Sequence, residues 1–424
     1  MKKTLTLYAV LMATLCFGKG QKKSVLFIGN SYTYTNDLPK MLADLALSAG
    51  DTVIFDSYSP GGFTFEQHST DPTTLGKIDM GTWDYVVLQE QSQRPAFPIA
   101  QVESEVFPYA KILNDRVRAK NPCGETIFYM TWGRKNGDAD NCPFYPPICT
   151  FSGMNDELRA RYEIMADRND AMLSPVGAIW KSVRTANPAL ELYVPDESHP
   201  SVAGTYIAAC SFYTTIFQND ASTTTFNPGL AAADANSIKS ATKKILFDSL
   251  SKWKIGENDP TANFNFTVPT GSKTASFANT SIAATSYRWD FGDAGTSTST
   301  TPSHTYAANG SYTVTLVAKF CNRTDTMRKV VNIGPTGIDE NNTVKTNLQA
   351  YPNPFRHSMS LDLTSLKADA EIKVYNYMGV LVFQQKASPA IINADLSKLP
   401  AGNYILKVTS TEEVVLMQKI IKQD

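Results

Sequence analysis

The sequence predicts an α/β domain built on a parallel sheet, followed by two smaller β-sandwich modules, and three observations carry that expectation. Over residues 24–255, short β-branched runs alternate with longer amphipathic ones, the pattern of strands joined by crossover helices. Beyond Asp259 this gives way to alternating, Ser/Thr-rich stretches such as Ser311-Tyr312-Thr313-Val314-Thr315-Leu316-Val317. A Gly/Pro/Asn-rich segment, residues 334–342, then leads into a second β-rich module ending Lys419-Ile420-Ile421-Lys422. At 424 residues the chain exceeds what one hydrophobic core usually serves, so several domains are expected. The boundaries read as a leader at 1–20, the α/β domain at 23–256, the first β module at 260–334, a linker at 335–346 and the last module at 347–424.

Taken in order, the chain opens with Lys2 and Lys3 ahead of 13 uncharged residues, 5–17, closed by the small residues Gly18 and Gly20. That is the form of a secretion signal peptide, and it is too short to span a bilayer. Leu15 before Cys16 is too bulky for a lipoprotein signal. The first buried strand is Val25-Leu26-Phe27-Ile28; after a Gly-Asn-Ser turn, Leu38, Met41, Leu42 and Leu45 recur at helical spacing, with Asn36 and Asp37 as capping candidates and Gly50 as the stop. Further strands are expected at 53–55, 85–88 and 127–130, and helices near 102–119, 155–169 and 202–217.

Composition narrows the function. Hydrophobic residues make up 42% and charged ones 19%, and 39 Lys+Arg against 40 Asp+Glu leave a net charge of −1. This is packed globular protein with no general pull toward nucleic acid or anionic lipid, and no later stretch has the length of a transmembrane segment. Five cysteines remain after the leader, Cys123, Cys142, Cys149, Cys210 and Cys321, an odd number in an oxidising compartment, so at least one stays unpaired. Cys142 and Cys149, in a loop with Pro143, Pro146 and Pro147, suit a local disulfide better than a zinc site; Cys210, in an apolar helix, reads as core.

Ligands of an open parallel sheet bind beyond the carboxyl ends of its strands. There the chain places Gly29-Asn30-Ser31, then Ser59-Pro60-Gly61-Gly62, then Gln89-Glu90-Gln91-Ser92-Gln93, and, before the last helix of the run, Asp196-Glu197-Ser198-His199. A hydroxyl nucleophile needs an imidazole to take its proton, and the imidazole needs a carboxylate to fix its tautomer. Ser31, His199 and Asp196 fit those roles. Of four histidines, His304 and His357 fall in the β modules, and His68, in Phe65-Glu66-Gln67-His68, has no partnered motif and reads as a surface or supporting residue. Singly, each residue has an ordinary use: Ser31 or Asp196 as a helix cap, His199 as a surface side chain, the paired glycines as a turn. In this order, each at a strand end, they point to acyl transfer.

These blocks resemble the SGNH/GDSL hydrolase superfamily, esterases of flavodoxin-like fold. Gly29-Asn30-Ser31 stands where that family has Gly-Asp-Ser, Gly62 (or Gly61) matches the second-block glycine, and Asp196 and His199 match the final Asp-x-x-His. The resemblance covers the α/β domain and implies Ser31 as nucleophile, His199 as base, Asp196 as its orienting acid, and an oxyanion hole from the Ser31 and Gly62 N–H groups. The third block departs from the family's Gly-x-Asn-Asp, so the side-chain donor falls to Gln89 or Gln93, with Gln89 preferred because it ends a strand. Trp132 and Arg134, after the fourth strand, are the substrate-binding candidates, an aromatic and a cation able to hold a sugar ring or a carboxylate, and a Trp132 that packs its own loop is the equal alternative. No metal or cofactor is called for.

Trp289-Asp290-Phe291-Gly292-Asp293, His304-Thr305-Tyr306 and Gly310-Ser311-Tyr312 resemble a PKD domain, an immunoglobulin-like sandwich, in which His304 and Asp293 are structural. Tyr351-Pro352-Asn353-Pro354-Phe355, Val374-Tyr375-Asn376-Tyr377-Met378-Gly379 and the stretch from Asp395 to Tyr404 resemble the type IX secretion C-terminal sorting domain. The latter implies passage through the periplasm and outer membrane by the type IX machinery, then anchoring or release. The whole reads as a secreted or cell-surface serine esterase removing acyl groups, acetyl foremost, from an acylated polysaccharide. Its alternatives are a lipid or aryl esterase on the same triad and an inactive glycan-binding adhesin.

Overall fold

The computed structural model describes residues 20–334, 348, 350–376, 379–410 and 413–423. The leader, up to its last residue, and the 335–346 linker lie outside the described residues.

Five short runs form one parallel sheet: β1 Lys22–Ile28, β2 Thr52–Tyr58, β3 Tyr85–Leu88, β4 Glu125–Tyr129 and β5 Met172–Ser174, in the order β2-β1-β3-β4-β5. The central strands are apolar on both faces, which is why Val25 to Ile28 and Tyr85 to Leu88 read as unbroken hydrophobic runs. From β1 the chain moves outward to β2, then back across β1 to β3, so right-handed crossovers place the helices on opposite faces. One layer holds α2 (Leu38–Ser48), α8 (Val176–Ala186), α9 (Val202–Phe217) and α10 (Ala232–Ile245). The other holds α3 (Phe65–Thr70), α4 (Pro72–Asp79), α5 (Ile99–Glu105), α6 (Phe107–Lys120) and α7 (Phe151–Asn169), while α1 is the single turn Ser31–Tyr34.

The expected α/β fold is present, with elements the sequence reading did not include. β5 has three residues, too few to show a period, and α3, α4, α8 and α10 were not anticipated. The helix expected over 102–119 is two helices broken at Val106, because Pro108 in the first turn of α6 cannot donate the hydrogen bond a continuous helix needs there.

Beyond Ile255 the core changes hands. Strands Phe264–Thr267, Thr274–Asn279 and Ser303–Thr305 face a four-stranded sheet, Ser286–Asp290, Thr296–Ser297, Gly310–Phe320 and Arg323–Ile333, around Phe264, Phe277, Trp289 and Phe291. His304 stacks on Phe291 at 4.2 Å and pairs with Asp293 at 2.8 Å, a packing role. The last module again has a three-stranded and a four-stranded sheet around Met359, Ile372, Val374 and Leu406.

Cys142–Cys149 is a disulfide and Cys210 is a free, buried thiol whose pKa burial pushes up to about 12. A second disulfide, Cys123–Cys321, bolts the amino end of β4 to the neighbouring sandwich. Beside it Arg323 pairs with Glu125 at 2.5 Å and with Asp259 at 2.9 Å.

Candidate functional site

The sheet order reverses between β1 and β3, and the turns leaving those strands meet at that switch point. After β1 the backbone passes close to its neighbours: a Cβ on Gly29 would lie 2.4 Å from Thr33 Oγ1 and 2.7 Å from Gln89 Oε1, so only glycine fits. Asn30, not Ser31, caps α1, its Oδ1 accepting from the Tyr32 N–H at 3.2 Å. The Ser31 hydroxyl is thereby left for other work.

That hydroxyl lies 2.8 Å from His199 Nε2, and His199 Nδ1 lies 2.5 Å from Asp196 Oδ2. The His199 loop is a tight return in which the Val194 N–H donates to the His199 carbonyl at 3.0 Å and Glu197 takes φ 62°. The Ser198 and His199 N–H groups each donate to Asp196 Oδ1 at 2.9 Å, fixing the carboxylate while its other oxygen faces the imidazole. Partial burial alone would push the Asp196 carboxyl up; these donors and His199 outweigh it and hold the pKa below the ordinary value. The cap of α9 is Ser201, whose Oγ accepts from Gly204, so Asp196 is not spent on capping. Asn36 Nδ2 donates to the Pro200 carbonyl at 3.0 Å and to Thr205 Oγ1 at 2.8 Å, tying the Ser31 segment to the His199 loop.

The Ser59–Gly62 turn is held beside Ser31 because Asn30 Nδ2 donates to the Phe63 carbonyl at 3.0 Å. Gly62 is exposed at φ +75°, a conformation that requires glycine. Among the described residues, the Ser31 and Gly62 N–H groups have no acceptor.

Gln89 departs from the expectation placed on it. It is fully buried; its Oε1 accepts from the Asn30 N–H at 2.9 Å and the Thr33 hydroxyl at 3.0 Å, and its Nε2 donates to the Glu90 carbonyl. The amide therefore supports the turn from below and is turned away from solvent, because the apolar close of β3 carries its side chain into the core. Gln93 is half-buried, and its Oε1 accepts from Arg134 Nη2, an arrangement that fixes the amide plane.

Trp132 takes the packing alternative and not the substrate-binding one. It is wholly buried between Tyr32, stacked at 4.6 Å, and Trp180, stacked at 4.0 Å, with Nε1 donating to the Ser198 carbonyl at 3.1 Å. No sugar can reach its face; the ring is the floor on which Tyr32 and the His199 loop rest. Tyr32 in turn sits edge-on to His199 and shares a 2.6 Å hydrogen bond between its hydroxyl and Ser198 Oγ. Arg134 remains partly exposed, paired with the buried Asp138 at 3.2 Å.

His68, expected at the surface or in support, is fully buried: Nε2 contacts the Gly29 carbonyl at 2.8 Å and Nδ1 contacts Thr74 Oγ1 at 2.8 Å, and burial lowers its pKa. Glu90 was not singled out. Its buried carboxylate accepts from the Phe65 N–H at 3.0 Å and the Gln91 N–H at 2.6 Å, clamping the start of α3 to the third turn, and burial raises its pKa to about 7 despite those donors. The signal for it was a carboxylate two residues past the apolar strand Tyr85–Leu88. Among the described residues no cluster of three or more His, Cys, Asp or Glu side chains could hold a metal.

Residues 258–333 match the family model of the PKD domain, and residues 349–423 that of the secretion system C-terminal sorting domain. Both segments are thus what they resembled, and a chain with this type IX sorting domain is exported to the cell surface or secreted. No helix among the described residues is long and apolar enough to cross a membrane. No curated protein matches the chain. Among solved structures, the α/β region is similar to a DUF4886 family protein from Bacteroides uniformis, at 17% identity and a TM-score of 0.47 over 53% of this chain and 94% of that one. It is also similar to a proposed SGNH hydrolase from Slackia heliotrinireducens, at 26% identity and a TM-score of 0.38 over 45% of this chain and 97% of that one. The PKD1 domain of a Vibrio cholerae metalloprotease is similar at 32% identity and a TM-score of 0.17, over 18% of this chain and 98% of that one.

Proposed function

We propose that the chain is an exported serine esterase that removes acyl groups, acetyl foremost, from carbohydrate polymers. The observation that carries this reading is the unbroken line from Ser31 Oγ through His199 to Asp196, at 2.8 Å and 2.5 Å, partly exposed beyond the carboxyl ends of the strands. Ser31 Oγ attacks the ester carbonyl as its proton passes to His199 Nε2, and Asp196 stabilises the imidazolium without taking the proton. The oxyanion is held by the free Ser31 and Gly62 N–H groups and by the Gln93 amide, whose orientation Arg134 sets. His199 then gives its proton to the leaving alcohol, and water attacks the acyl-enzyme by the same route in reverse, releasing the carboxylic acid.

Support for a polymeric carbohydrate comes by association, from export and the adjoining PKD domain. A relay this complete also weighs against the inactive adhesin. The test is turnover of 4-nitrophenyl acetate against the butyrate and octanoate esters, with released acetate measured on acetylated xylan and other acetylated polysaccharides. Acetyl preference with acetate release is expected; preference for octanoate with none would move the function to lipid esters, and no turnover on any ester would overturn it.

A further inference from the structure

The proposed nucleophile and base are joined twice. One link is the hydrogen bond between Ser31 Oγ and His199 Nε2 at 2.8 Å, the path of the proton. The other runs one residue away from each: Tyr32 follows Ser31, Ser198 precedes His199, and the Tyr32 and Ser198 hydroxyls share a hydrogen bond at 2.6 Å. The four residues form a closed circuit of two peptide bonds and two hydrogen bonds. Both ends of the second link are firmly held. The Tyr32 ring is buried and stacks on Trp132, which stacks in turn on Trp180. Ser198 is fixed at each polar atom: its N–H donates to Asp196 Oδ1 at 2.9 Å, its carbonyl accepts from Trp132 Nε1 at 3.1 Å, and its Oγ meets Tyr32. Burial raises the Tyr32 pKa, so the phenol stays neutral, and the Ser92 hydroxyl is a second partner for it.

The two links differ in how long they last. Once Ser31 Oγ is part of the acyl ester it has no proton to donate, and its hold on the imidazole is lost. Hydrolysis still needs His199 in place: Nε2 takes a proton from water as the water oxygen bonds to the acyl carbon, then returns it to Ser31 Oγ as the ester bond breaks. The Tyr32–Ser198 bond takes no part in these transfers, so it persists through the stage at which the first link is absent. Resting on the reading of Ser31 as nucleophile, we propose that Tyr32 is a positioning residue, which keeps the His199 loop in register with Ser31 while the acyl-enzyme is hydrolysed.

The experiment separates acylation from deacylation with 4-nitrophenyl acetate in the wild type, Tyr32→Phe, Ser198→Ala and the double variant. Acylation is read from kcat/KM. Deacylation is kcat divided by the fraction of enzyme that carries an acetyl group at saturating substrate, measured by rapid quench and intact mass. Phe keeps the ring and its stack and removes only the hydroxyl, while Ser198→Ala breaks the same bond from its half-exposed side. Tyr32→Phe should slow deacylation about tenfold and acylation by less than about threefold, so the acetylated fraction rises. Ser198→Ala should do the same, and the double variant should be no slower than either single one, because one bond is lost in all three. The proposal is overturned if Tyr32→Phe deacylates at the wild-type rate, if acylation falls as far as deacylation, or if the two single effects multiply. Wild-type turnover in Ser31→Ala would instead overturn the nucleophile; an inactive Ser31→Ala beside an unaffected Tyr32→Phe would overturn the positioning role alone.

Discussion

Gln89 Oε1 accepts the Asn30 N–H at 2.9 Å, so the amide at the end of one central strand holds the turn that leaves its neighbour. The side chain best placed by sequence to stabilise an oxyanion is used instead to set the position of Ser31. Gln89→Ala should therefore lower stability by about 1–3 kcal/mol, since it strands buried partners. It should lower kcat as a consequence, and urea unfolding beside kinetics separates this from a pure catalytic defect.

Gln93→Ala should behave in the opposite way. With its oxygen engaged by Arg134, the amide is oriented, and removal should cut kcat by roughly 10²–10³ with little change in KM or Tm. A wild-type kcat would leave the oxyanion to the Ser31 and Gly62 N–H groups alone.

Ser31→Ala and His199→Ala should each remove several orders of magnitude of esterase activity with Tm nearly unchanged, as the hydroxyl caps nothing and the imidazole is partly exposed. Asp196→Asn should be severe and somewhat less complete, since the carboxylate orients the base. Wild-type turnover in Ser31→Ala sinks the mechanism.

Glu90 ties stability to pH. Folded, it keeps its proton to about pH 7; unfolded, it loses it near the ordinary 4.5. Between these values the native state binds more proton, so this group's contribution to stability falls as pH rises through that window and is flat above it. The total is about 3 kcal/mol. Urea midpoints measured across the window should decline in the wild type and decline less in Glu90→Gln; parallel curves would refute this.

Much of this architecture was legible because its signals are local. Val25 to Ile28 announce a strand buried on both faces, and Asp196 and His199, three residues apart, need only one tight loop to meet. What failed needed distant partners. Whether Trp132 faces solvent depends on Trp180 and Tyr32, and whether Gln89 points up or down depends on Asn30 and Thr33. The pairing of Cys123 spans 198 residues and two domains, so no spacing rule could reveal it. β5 was lost for a simpler reason: three residues cannot display a period.

That long cross-link closes residues 123–321 into a covalent ring, with His199 and Asp196 inside it and Ser31 outside. Outside the cell, where proteases are abundant, a single backbone cut anywhere in the ring opens it without dividing the molecule. Ser31 and His199 stay joined, through sulfur where the cut falls between Cys123 and Asp196, and a nicked chain should migrate as one species until reductant is added.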